Sequence, residues 1–190
     1  MIWNEILCLG DSLTTGARDR YRRSYPMELA KILTDKTGEF YFCHDYGVCG
    51  DTSSDLLRRI WNIAKSNQNA RIAIVMIGTN DTQINIPKHI YKDNLRQIIS
   101  TLSLYCMNII VSKLPSLGFT PLYINNTSNI EVYNNTIDEL SEEMNVTLCD
   151  MSGTEEYYID GVHYTHEGYN ILANIFADKI LKLQHVEDQE

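Results

Sequence analysis

The chain has 190 residues, 44% hydrophobic and 22% charged, with 16 Lys and Arg against 25 Asp and Glu for a formal net charge of -9. That length suits one domain burying roughly 70% of the surface of its unfolded chain. The acidic balance speaks against a general nucleic-acid binder, because such a surface repels phosphate, and no apolar run nears the roughly 20 residues of a membrane span.

Ile2 and Trp3 are followed at once by Asn4 and Glu5, so the N-terminus does not read as a signal peptide. The five cysteines (Cys8, Cys43, Cys49, Cys106, Cys149) form no CxxC pair, and several sit in apolar stretches where a reduced thiol acts as a small hydrophobe. A reducing, cytoplasmic setting is the expectation.

In chain order, short apolar runs alternate with longer helical patterns. A strand over residues 6–9 ends at Gly10-Asp11-Ser12, and a helix over 24–35 has Pro26 near its start. A strand over 40–43 leads through Tyr46-Gly47-Val48-Cys49-Gly50 to a helix over 51–66, whose Leu56, Leu57, Ile60, Ile63 and Ala64 form one stripe. A strand over 72–77 ends at Gly78-Thr79-Asn80-Asp81 and is followed by a helix over 87–105. Then come a strand over 109–111, a helix over 130–144, a strand over 146–149 and a closing helix over 165–183. Near-continuous hydrophobicity fits strands covered on both faces. Strand–helix alternation implies right-handed βαβ units and a doubly wound parallel sheet of about five strands. Ligands of such sheets bind beyond the carboxyl ends of the strands, so the loops there carry the chemistry.

Four loops hold complementary groups. Ser12, just after the first strand, places a hydroxyl at the carboxyl edge of the sheet. Gly50 precedes a capped helix, where an unobstructed backbone N–H can approach a ligand. Asn80 ends the most hydrophobic strand and can aim its NH₂ into the shared crevice. Asp160 stands three residues before His163 and can bond the imidazole Nδ1–H, leaving Nε2 as a base. Each has a plainer reading alone: Ser12 as a helix cap, Gly50 and Asn80-Asp81 as turn residues. Asp160, His163 and His166 could also be read as metal ligands, although no Cys or fourth carboxylate is evident nearby. The Gly-x-Ser-x-Gly elbow is absent, because Thr14 occupies its final position. Together the four loops supply a nucleophile, oxyanion donors, a base and an orienting acid.

At these residues the sequence resembles the SGNH hydrolases, the GDSL lipase/esterase family. The matching blocks are Gly10-Asp11-Ser12-Leu13 after its strand, Gly50-Asp51-Thr52-Ser53, Gly78-Thr79-Asn80-Asp81 and Asp160-Gly161-Val162-His163. They stand in the family's order and span nearly the whole chain. One departure is Tyr46, where many members have Asn ahead of the glycine. The resemblance implies an α/β fold, a flavodoxin-like three-layer α/β/α sandwich with a five-stranded parallel sheet. A single domain over 1–184 and a short polar tail over 185–190 are expected. It further implies Ser12 as nucleophile, His163 as general base and Asp160 as its orienting acid. The Ser12 N–H, the Gly50 N–H and the Asn80 carboxamide would form the oxyanion hole. The expected substrate is a small-molecule ester, with no cofactor and no metal. Small-acyl or sugar O-acetyl esters compete with lysophospholipids and acyl-thioesters as substrates, and a non-catalytic flavodoxin-like binding module is the alternative of another class.

Substrate selection has two candidate sources. Arg18, Arg20, Arg22 and Arg23 are half of the eight arginines, gathered within six residues close behind Ser12. Arg20, Arg22 and Arg23 are candidate contacts for an anionic substrate; a solvated loop pairing with Asp19 is the bland counterpart. Residues 113–129 form a long connection with Phe119 in it, and Tyr157, Tyr158 and Tyr164 lie close to His163. Phe119 and Tyr164 are therefore candidates for an aromatic-lined pocket, unless these rings simply cover the edge of the sheet.

Overall fold

A computed structural model describes residues 4–118 and 127–187, the side chains of 127, 128 and 185–187 excepted. Five strands, β1 (Asn4–Gly10), β2 (Tyr41–Gly47), β3 (Ile72–Met76), β4 (Asn108–Ser112) and β5 (Thr147–Cys149), pair in parallel in the order β2-β1-β3-β4-β5. Their sequences explain the layering. Every residue of β3 is buried and so are the last five of β1, as required of strands with helices on both faces.

The helices are α1 (Tyr25–Thr37), α2 (Ser53–Ser66), α3 (Thr79–Gln83), α4 (Lys88–Leu102), α5 (Thr127–Met144) and α6 (His166–Glu187), with a 3₁₀ turn over Glu155–Tyr157. From β1 the chain steps outward to β2, then back across β1 to β3, β4 and β5. With right-handed crossovers this reversal puts α1 on one face and α2, α4 and α5 on the other. α6 joins α1, where the Tyr25 and Phe176 rings meet at 4.9 Å. α1 is stopped by Gly38, whose φ of 75° lets its N–H reach the Thr34 carbonyl. The reversal opens a crevice at the carboxyl ends of β1, β2 and β3, the place where the four loops converge.

Three differences from the sequence reading have simple causes. β2 runs four residues past the expected strand, through His44-Asp45-Tyr46-Gly47, because it is an edge strand and polar residues continue it. For the same reason it is not covered on both faces, and Phe42 is 49% exposed. α3 is an unforeseen helix of five residues, opened by Gly78 at φ 133°, and too short to leave a hydrophobic period. α6 continues to Glu187, into the stretch expected as a tail. All five cysteines are free thiols, and no helix among the described residues is long and apolar enough to cross a membrane.

Candidate active site

Ser12 sits in the turn after β1, where Gly10 lets the chain double back: a Cβ there would lie 2.3 Å from the Met76 carbonyl oxygen. The serine is nearly buried, and its Oγ lies 3.0 Å from His163 Nε2. The other ring nitrogen, Nδ1, lies 2.8 Å and 3.1 Å from the two oxygens of Asp160. An ionised carboxylate only accepts, so Nδ1 carries the proton and Nε2 presents its lone pair to the serine hydroxyl. Asp160 also accepts from the backbone N–H groups of Val162 and His163. Burial works against its charge, but these bonds outweigh it and hold the carboxyl below the usual range. Three side chains from two loops 151 residues apart thus form one hydrogen-bonded row.

Asn80 lies on α3 with its carboxamide facing the same cleft. Its Nδ2 donates to the Asp51 carbonyl at 2.9 Å and makes only a long 3.4 Å approach to Asp11 Oδ2, so its second hydrogen is weakly committed. Ser12 and Gly50 also line the cleft, and neither backbone N–H has an acceptor among the described residues. Gly50 holds φ at 85°, which favours glycine and leaves the N–H unobstructed. Three residues with donors available therefore line the cleft that holds Ser12 Oγ, and donors so placed can stabilise an oxyanion after serine attack on a carbonyl.

Residues without a role in the sequence reading hold these donors in place. The buried Asp81 accepts from the Ser53 N–H at 2.8 Å and from its hydroxyl at 2.5 Å, tying α3 to the start of α2. Asn94 of α4 donates to the hydroxyls of Ser53 and Ser54. Arg59 of α2 spans the Asp51 carboxylate at 2.9 Å and the Gly10 carbonyl at 3.1 Å, linking the Gly50 loop to the end of β1. Asp81 was visible in its motif, but nothing in one sequence singles out Arg59 or Asn94. Thr52 closes the Gly50 loop with a capping box to Asp55. Beneath the site, burial pushes the Asp11 carboxyl up to about 7, opposed chiefly by the Leu13 N–H.

The cleft has a volume of about 540 Å³, and its described lining includes no Leu, Ile, Val, Met, Phe, Tyr or Trp. Arg22 and Arg18 line it, whereas Arg20 and Arg23 do not. Arg20 lies over the Tyr21 ring at 5.6 Å, and Arg23 pairs with Asp19 at 3.2 Å. Arg18 and Arg22 have φ values of 72° and 51°, a left-handed conformation that costs a non-glycine residue about 1–2 kcal/mol. Tyr164 is not part of the cleft: it is fully buried, its ring 4.8 Å from that of Tyr158 and its hydroxyl bonded to Thr154. An apolar ring under α6 packs into the core, and the aromatic pocket it was expected to line does not form there. Phe119 lies outside the described residues. His166 points away from the row, its Nε2 being 4.0 Å from Glu28, and among the described residues no His, Cys, Asp or Glu cluster could hold a metal ion.

Comparison with known proteins agrees with this geometry. The GDSL-like Lipase/Acylhydrolase family matches residues 8–171. Among solved structures, a carbohydrate acetylesterase, Est24 from Sinorhizobium meliloti, superposes with a TM-score of 0.79 at 19% identity, over 95% of this chain and 99% of that one. An acetylxylan esterase, Axe2 from Geobacillus stearothermophilus, gives 0.78 at 19% identity over 93% and 94%. An aryl esterase from M. smegmatis gives 0.79 at 17% identity over 95% and 99%. No curated protein matches the sequence significantly. With a family match over most of its length, a five-stranded parallel sheet and a serine–histidine–aspartate row at the sheet's carboxyl edge, the chain belongs to the GDSL-like lipase/acylhydrolase, or SGNH, family of hydrolases acting on esters.

Proposed function

We propose that the chain is a serine esterase that removes small acyl groups, O-acetyl groups of sugars foremost, through an acyl-enzyme. The observation that carries the acyl size is the lining of the cleft, which offers polar and small side chains around Ser12 and no large apolar one among the described residues. A long acyl chain gains its binding energy by burying methylenes, at about 0.8 kcal/mol each, and among the described residues no large apolar side chain lines the cleft to receive them. A hydroxylated alcohol finds hydrogen-bonding partners instead. The acetylesterase names of two similar structures point the same way.

In the proposed cycle, His163 Nε2 takes the proton of Ser12 Oγ as the oxygen attacks the ester carbonyl. The Ser12 and Gly50 N–H groups and the Asn80 carboxamide receive the negative charge that forms on the carbonyl oxygen. His163 returns its proton to the departing alcohol, leaving an acyl-Ser12. A water molecule, deprotonated by the same nitrogen, then releases the acid. Asp160 remains ionised throughout and stabilises the imidazolium.

Labelling with a fluorophosphonate, followed by mass spectrometry of the adduct, tests the nucleophile. The adduct should map to Ser12 and be lost in His163→Ala; a folded protein without an adduct would return the chain to the binding-module reading. Acyl size is read separately from p-nitrophenyl acetate, butyrate and octanoate, with kcat/KM expected to fall along the series. Faster turnover of octanoate would favour the lysophospholipase or thioesterase alternative.

A further inference from the structure

Half the arginines of an acidic chain stand in one loop beside the nucleophile, and the structure gives the four different fates. Arg23 is committed to Asp19, and Arg20 lies over Tyr21. Arg18 brings its Nε to 3.4 Å from the Asp160 carboxylate. Arg22 is exposed, lines the cleft with Ser12, Gly50, Asn80 and His163, and its side chain has no acidic partner among the described residues. We propose that Arg22, with Arg18 beside it, determines specificity by receiving an anionic group, a carboxylate or a phosphate, on the sugar part of the ester. This rests on the esterase reading above and names the substrate class within it.

The loop is constructed to hold Arg22 there. Asp19 accepts the backbone N–H groups of Tyr21 and Arg23, and Arg22 donates its own N–H to the Asp19 carbonyl. From the far side, Tyr169 of α6 donates its hydroxyl to the Ala17 carbonyl at 2.9 Å. These bonds keep Arg18 and Arg22 in the left-handed backbone region, which non-glycine residues enter only where the surroundings compel it. The nearby carboxylates are already engaged: Asp19 by Arg23, Asp160 by His163 and Arg18, and Asp51 by Arg59. Among the described residues of the cleft, Arg22 is therefore the arginine without a carboxylate partner, on a protein whose overall charge repels anions. Its planar fork suits two oxygens of a carboxylate or phosphate.

The test uses acetate release from three acetylated monosaccharides of one frame: glucose, glucuronate and glucose 6-phosphate. The wild-type KM for at least one of the anionic pair should be about tenfold or more below that for acetylated glucose, and which of the two is favoured identifies the anion. Arg22→Asn, chosen because Asn tolerates left-handed backbone, should raise KM for the favoured anion on the order of ten- to hundredfold and for glucose by less than about twofold. Arg20→Asn removes the same charge from the same loop outside the cleft, and should change neither. A parallel loss on all three substrates in Arg22→Asn, or an equal effect of Arg20→Asn, overturns the inference. Calorimetric titration of Ser12→Ala with free glucuronate and glucose 6-phosphate separates it from the reading beneath it. Hydrolysis of all three acetates with equal KM removes the anion site and keeps the esterase. Binding of an anion through Arg22 with no hydrolysis of any acetate keeps the site and removes the esterase.

Discussion

The two sides of Ser12 are held by different means. On the oxyanion side, three strand-end loops are cross-braced by the buried side chains of Asp81 and Asn94, both to Ser53, and by the partly buried Arg59, to both Asp51 and Gly10. On the base side, Asp160 and His163 stand on one loop fixed chiefly by backbone bonds. Ile159 N–H donates to the His163 carbonyl at 2.7 Å, and Gly118 N–H donates to the Gly161 carbonyl at 2.7 Å. The Asp160 side chain is 31% exposed, whereas Asp81 is fully buried. Donors that stabilise a developing charge act by not having to reorganise. The oxyanion side is thus braced by side chains between elements, whereas the base side rests on one loop whose carboxylate is partly exposed.

Substitutions on the two sides should therefore separate activity from stability. The largest loss belongs to the reactive row: Ser12→Ala and His163→Ala should each lower kcat by about four orders of magnitude or more, with unfolding midpoints near wild type. Asp160→Asn keeps the shape but removes the charge that fixes the tautomer, and should cost on the order of 10⁴ in kcat with little change in thermal stability. If Asp160→Asn unfolded the protein, the base side would be as structural as the other. Asn80→Ala removes one oxyanion donor, for an expected loss of about 10²–10³ in kcat and a small change in KM.

Asp81→Ala breaks the contrast from the other side. It leaves the Ser53 N–H and hydroxyl without their acceptor in a buried place, at a cost of about 2–4 kcal/mol. Calorimetry should show a fall of roughly 5–15 °C, accompanied by lower kcat as Asn80 and Gly50 lose their alignment. A stable, inactive Asp81→Ala would instead give that residue a direct chemical part.

The last contrast concerns pH. Asp11 ionises near 3.8 when unfolded but, buried, only at about 7, so the folded state keeps a proton that the unfolded state has released. Its contribution to stability is complete below about pH 4, declines as pH rises to about 7 and is flat above; burial raises Asp45, Asp51 and Asp81 in the same direction. Asp160 is held low and acts oppositely, losing its contribution only in stronger acid. Denaturation of Asp11→Asn, which mimics the neutral acid, should show a shallower fall in stability between pH 4 and 7 than wild type. An unchanged slope would mean that Asp11 is ionised in the folded protein across that range.

Much of the fold was legible in the sequence because a parallel sheet buries its central strands on both faces. The runs Ile6-Leu7-Cys8-Leu9 and Ile72-Ala73-Ile74-Val75-Met76 write that burial directly as hydrophobicity. Edge strand β2 escaped in part because half of it answers to solvent, and α3 because five residues make no period. The chemically reactive residue types, Ser12, Asn80, Asp160 and His163, were legible because their loops end strands that must share one edge. Tyr164 misled because nearness in sequence to His163 is not nearness in space; its ring turns into the core.

The sequence by itself determined which groups would meet, since strand–helix alternation with right-handed crossovers leaves few ways to arrange the strand ends. Only the tertiary structure decided how they are held and what faces the substrate. Arg22 shares its left-handed backbone and its place in the cleft with Arg18, and was set apart by the partners that Arg18, Arg20 and Arg23 found. Arg59 and Asp81 acquired their roles from contacts with distant loops. Such contacts depend on distances between chain segments far apart in sequence, and no local pattern of residues encodes them.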